Sequence, residues 1–104
     1  MISSQLGTAI SSRSKVRFYY SLDKEPGFRE VEPHMVAYNQ AGNLALSAWY
    51  LSGASESKRG PGWREYLVSG ISSMTISPET FPGPRDGYKA DGGKTFHTIQ
   101  FAIK

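Results

Sequence analysis

From Lys15 onward the chain alternates. Val16, Phe18 and Tyr20 fall on one side, and Lys15, Arg17, Tyr19 and Ser21 on the other. A period of two predicts a half-buried strand. The stretch before it keeps a different rhythm: over residues 2–12, Ile2, Leu6, Ala9 and Ile10 recur at helical spacing. This predicts a short helix packed on something else, although Gly7 and five serines and threonines lower its intrinsic propensity.

Turn chemistry divides the remainder. Asp23-Lys24-Glu25-Pro26-Gly27 and Asn39-Gln40-Ala41-Gly42-Asn43 read as turns. Between them lies a second strand, about Phe28 to Tyr38. Pro33 interrupts it and marks an edge or a bulge, because proline cannot donate to a ladder. A third strand is expected from Leu44 to about Ser52, a small polar loop from Gly53 to Gly62, and a fourth strand from Trp63 to Val68. Gly70 breaks the pattern, and Met74 to Ser77 resumes it as a short fifth strand. Residues 78–94, with three prolines and four glycines, read as a loop or linker. In TFHTIQFAIK the alternation returns, placing Thr95, His97, Ile99, Phe101 and Ile103 on one face of a last strand at about 95–103. Short strands separated by turn signals predict an all-β fold, a small barrel or sandwich, as one domain over 1–104 with its core at about 15–77. No internal repeat is visible.

Composition narrows the function classes. The chain has 104 residues and no cysteine, which excludes disulfides, thiolate metal sites and a thiol nucleophile. No apolar run approaches the roughly 20 residues of a membrane helix, and the first residues lack the basic start and apolar core of a signal peptide. A soluble cytoplasmic protein is expected. The opening Met1 fits a complete gene product, and a cloned fragment is the other reading. Net charge is +3, spread as +1 over each of residues 1–14, 15–70 and 71–104, so no basic block argues for nucleic acid by itself.

Five segments together resemble the WYL domain family. They are Ala9-Ile10; Val16-x-Phe18-x-Tyr20; Arg29-Glu30-Val31-Glu32-Pro33; Gly42-Asn43-Leu44-Ala45-Leu46-Ser47-Ala48-Trp49; and Trp63-Arg64-Glu65-Tyr66-Leu67-Val68-Ser69-Gly70-Ile71. Order and spacing match over about residues 9–81. In this register the family's name motif falls on Leu44-Ala45-Leu46, and the literal Trp49-Tyr50-Leu51 lies five residues later. An odd shift exchanges the two faces of a strand, so only one register can hold, and the longer pattern supports the first. The chain departs from the family at Leu44 and Ala45, and at Ser69-Gly70, where the family carries Asp-Arg.

The resemblance implies a small Sm-like or SH3-like β-barrel behind a short N-terminal helix. It also implies a non-enzymatic, ligand-sensing module. Such domains sit in bacterial transcription regulators, DNA-damage responses and phage-defence systems. They are thought to bind single-stranded nucleic acid or a nucleotide-like ligand on a basic face. The chain leaves no room for a helix-turn-helix beside the barrel, so the implied role is an accessory subunit or a piece of a longer protein.

Arg29 and Arg64 match the family's basic positions, and a guanidinium suits phosphate through its two parallel donors. The alternative is a cross-strand ion pair with Glu30, Glu32 or Glu65. Tyr20 and Tyr66 match aromatic positions beside them. Either could stack on a base, but Tyr20 shares a face with Val16 and Phe18 and reads first as core. Lys58 and Arg59 could touch a phosphate backbone or simply be solvated. Trp49 and Trp63 read as core or rim. His34 and His97 lack the partners of a metal site. Gly93-Lys94-Thr95 imitates the end of a phosphate loop, but Tyr88 stands where its first glycine belongs. No spacing suggests a catalytic constellation, and no cofactor is implied. A competing class is an interaction module that has lost its ligand site. It would assemble as a homodimer, or with a partner regulator, through the C-terminal strand.

Overall fold

A computed structural model describes residues 1–54 and 60–103. Helix α1 (Ile2–Ser12) is followed by strands β1 (Ser14–Tyr20), β2 (Gly27–Asn39), β3 (Leu44–Gly53), β4 (Gly62–Leu67), β5 (Ile71–Thr80) and β6 (Phe96–Ala102). A 3-10 turn, Val68–Gly70, lies between β4 and β5. All six strands join one antiparallel sheet of order β4-β3-β2-β1-β5, with β6 added to β2.

The connection between β4 and β5 dictates the shape of this sheet. The two strands stand at opposite ends of the path, four strand spacings apart, which in a flat sheet is about 19 Å. The 3-10 link from Leu67 to Ile71 covers only about 8 Å at ~2 Å per residue. The sheet therefore curls until its ends meet. Tyr20 Oη reaches across the curl from β1 and accepts the Leu67 N–H at 2.9 Å. A β4–β5 ladder that would complete a barrel is not among the pairings of the described residues.

Inside the curl lie Val16, Phe18, Val31, Val36, Leu46 and Ala48, all fully buried. Helix α1 covers this core with Leu6, Ala9 and Ile10. Gly7 faces β6 so closely that a Cβ there would stand 2.5 Å from the Phe101 ring. The glycine that weakens the helix in sequence is thus the place where the last strand packs against it. Pro33 lies at a register shift between β2 and β3, as a residue without an N–H requires.

Two expectations are corrected. The fifth strand is longer than Met74 to Ser77, because β1 continues pairing as far as Ser14 opposite Thr80. The last strand does not keep one face. His97, Ile99 and Phe101 stand opposite the consecutive residues Tyr38, Ala37 and Val36, and Thr98 takes a left-handed φ of 48°. Each extra residue on β6 bulges out, and the alternation visible in sequence is lost.

Candidate ligand site at the end of the curled sheet

Four of the six residues singled out in sequence come together at the end of the core opposite α1. Phe18 and Tyr20 on β1, Arg29 on β2, and Arg64 and Tyr66 on β4 share the inner face, because Phe18 pairs with Arg29 and Leu46 pairs with Tyr66. The rings of Tyr20 and Tyr66 meet edge to face at 5.0 Å, and Phe18 meets Tyr66 at 5.2 Å. The Arg29 guanidinium lies 5.1 Å from the Tyr20 ring centre and 5.8 Å from that of Tyr66. Arg64 covers the Tyr50 ring at 5.1 Å.

Arg29 is only 1% exposed. None of its three expected glutamate partners, Glu30, Glu32 or Glu65, is used. Its Nη2 donates to Asp23 Oδ2 at 2.7 Å and to the Glu25 carbonyl at 2.9 Å, and Nη1 donates to the carbonyls of Tyr20 and Gly27 at 3.4 Å. One guanidinium thus ties the 21–27 turn to the strands on either side of it. Arg64 also pairs with no carboxylate among the described residues. Its two terminal nitrogens donate to the Trp63 and Gly60 carbonyls at 2.9 Å, at the half-buried rim. Burial pushes the Tyr66 phenol up to about 12, against the opposing pull of Arg29 and then Arg64. Burial also raises Tyr20, with the Leu67 N–H opposing it. Both phenols are therefore neutral donors at physiological pH. Tyr50, inside the coincidental W-Y-L triplet, bonds through its hydroxyl to the Gly53 carbonyl and so joins the cluster. Lys58 and Arg59 lie outside the described residues, between Ala54 and Gly60 in the sequence.

A second constellation, on the outer face, was not legible in sequence. Residues 81–95 are not a linker: they fold back over β2, β3 and β4. Glu32, its side chain 3% exposed, receives both Nε and Nη2 of Arg85 at 2.7 and 3.0 Å. That bidentate hydrogen bonding holds Arg85 above the usual arginine value. His34 is fully buried between Trp63, Phe81 and Tyr88. Its Nε2 accepts the Arg85 N–H at 3.1 Å, and Nδ1 contacts the Glu32 carbonyl at 2.8 Å. A carbonyl only accepts, so Nδ1 carries the proton and the ring is neutral. Burial pushes its pKa below the ordinary histidine value. Trp63 Nε1 donates to the Asp86 carbonyl and Tyr88 Oη to that of Ile103, both at 2.8 Å. No group of three or more metal-ligating side chains occurs among the described residues, and no helix there is long and apolar enough to cross a membrane.

Comparison with known proteins agrees with this architecture. The proteasome accessory factor B/C (PafBC) of Arthrobacter aurescens superposes with a TM-score of 0.67 over 88% of this chain, at 20% identity. The match spans 14% of that protein's chain, so the likeness concerns the fold. No curated protein matches the chain significantly. The sequence profile of the WYL domain covers residues 2–76, which is α1 through most of β5. With the profile matching well over half of its length, the chain belongs to the WYL domain family.

Proposed function

We propose that the chain is a non-enzymatic, ligand-sensing regulatory module of the WYL type, acting in the cytoplasm. It takes single-stranded nucleic acid or a nucleotide-like ligand at the end of the curled sheet. Family membership supports the regulatory role. The observation that carries the ligand reading is the convergence of two guanidiniums and three tyrosines, in which, among the described residues, Asp23 is the carboxylate bonded to a guanidinium. In this reading Arg64 meets the phosphate. Arg29, buried, positions the turn and the tyrosines, and the loop carrying Lys58 and Arg59 adds diffuse charge.

Fluorescence anisotropy with labelled single-stranded DNA and RNA tests this at two salt concentrations. Binding is expected to weaken with salt. Arg64→Ala should reduce the slope of log K against log salt by about 1. Changing Lys58 and Arg59 together to alanine should lower affinity without altering preference between sequences. Absence of binding at low salt, or an unchanged slope in Arg64→Ala, would end the proposal.

A second reading rests on β6. Among the described residues it pairs only with β2, and Ile99 and Phe101 on it are 38% and 36% exposed. An uncovered edge with apolar neighbours favours strand addition by a second copy or a partner regulator. Ile99→Lys should then dissociate a dimer while leaving circular dichroism unchanged. Wild-type protein that runs as a monomer at every concentration in light scattering would remove the homodimer.

A further inference from the structure

We propose that the cleft between the outer face of β3–β4 and residues 87–96 binds a small aromatic zwitterion of the amino-acid type. Arg64 borders both this cleft and the cluster around Arg29, but the proposal does not depend on the reading given to that cluster. The cleft holds about 300 Å³, and six of its eleven lining residues lie beyond residue 76, outside the WYL match. Such a volume is at the lower end for small-molecule sites and admits a ring with a short side chain.

Its chemistry divides in two. Met35, Trp63, Tyr88 and Phe96 supply apolar and aromatic surface. The Trp63 and Tyr88 rings lie within 19° of parallel, and their polar atoms are already bonded to Asp86 and Ile103. They therefore offer the cleft carbon surface, suited to a ring. Opposite charges also line it. Lys89 and Glu65 both face the cleft, yet among the described residues they form no ion pair within 4.0 Å. Glu65 Oε2 accepts from Asn39 Nδ2 at 2.8 Å, which fixes the carboxylate and leaves its other oxygen available. Arg64 contributes to the wall, but its terminal nitrogens are bonded to backbone carbonyls.

An anion alone would meet Lys89 but also Glu65, and a cation alone would meet the reverse. A molecule bearing both charges beside an aromatic body satisfies the two together. Two glycines keep the wall close. A Cβ on Gly87 would stand 3.0 Å from Trp63 Nε1, and one on Gly92 would stand 2.6 Å from the Phe96 carbonyl oxygen.

Phenylalanine, phenethylamine and 3-phenylpropionate share one ring and differ only in charge, and none absorbs where tryptophan is excited. Titrating each into the full chain and reading tryptophan emission isolates the two charges. Phenylalanine should give a saturable change, with each single-charge analogue about tenfold weaker. Lys89→Glu should reverse the order, so that phenethylamine binds best; Lys89 is exposed, so the variant is expected to fold. Amide NMR shifts should centre on Ser47, Glu65 and Gly92. Equal binding of all three compounds would reduce the cleft to an apolar crevice and overturn the proposal. So would the lack of any saturable change to about 20 mM, the weak limit of specific binding, or shifts centred elsewhere.

Discussion

Arg29→Ala is expected to destabilise the protein by about 3–5 kcal/mol, the scale for removing one partner of a buried ion pair. The Asp23 side chain is 17% exposed, so solvent softens the electrostatic part. Two further losses add to it. The carbonyls of Tyr20, Glu25 and Gly27 lose a common donor, and a void opens beside the Tyr20 and Tyr66 rings. A domain of this size holds only about 5–15 kcal/mol in all. Urea unfolding at constant m-value measures the change. Arg29→Lys keeps the charge without the planar fork and should recover less than half of the loss. A loss below about 1 kcal/mol, the scale of a surface pair, would show that the turn is held without Arg29. One practical consequence concerns ligand studies. An Arg29 variant reports on the integrity of the site, and Arg64 is the residue that can be changed to ask about binding alone.

The second large effect is expected at His34. His34→Ala removes a fully buried ring from between Trp63, Phe81 and Tyr88 and takes away the acceptor of the Arg85 N–H. A loss of about 3 kcal/mol is expected from the void and the unmet donor together. Trypsin should then cut at Arg85 and Lys89 well before it cuts the sheet. Protonation acts at the same point. The folded state lowers the histidine pKa below 6.5, so the neutral ring is the stabilising form. That contribution is complete above pH 6.5 and is lost as pH falls below it. Wild type should therefore lose stability more steeply between pH 6.5 and 5 than His34→Phe, which has no proton to gain. Glu32 and Arg85 are the charged groups facing the ring, and their mutual bond keeps the carboxylate from rescuing the imidazolium. Equal slopes for the two proteins would refute the argument.

The cluster at the end of the curled sheet was legible in part, for a physical reason. Val16, Phe18 and Tyr20 alternate without interruption, so their shared face follows from spacing, whereas Arg29, Arg64 and Tyr66 were found through the family motifs in which they stand. Arg29's partner was not legible, because Asp23 lies in a turn where no period applies. The Glu32–His34–Arg85 group was invisible for the same reason at longer range. Pro33 shifts the β2 register between the family motif and the strand beyond it, and Arg85 approaches from 53 residues away. Proline and glycine in residues 78–94 read as a loop or linker, yet Pro78, Glu79 and Thr80 still belong to β5 and regular structure is lost only after them. The prolines and glycines carried no information on whether that segment is packed. Phe81, only 4% exposed, and Tyr88, packed against the core, were its apolar signals.

The division of β2 between two partners has a consequence for how the chain reaches this state. Its first half pairs with β1 across a short turn, whereas its second half waits for β6, as in Met35 with Ala102. Closing a loop of that length costs entropy before any contact forms. During synthesis the edge from Met35 to Asn39 therefore stays open until residues 96–103 have left the ribosome. At translation rates of roughly 5–20 residues per second, that is a delay of seconds. In that interval β2 is a bare template for a strand from another molecule, and the nascent protein is most exposed to misassembly then.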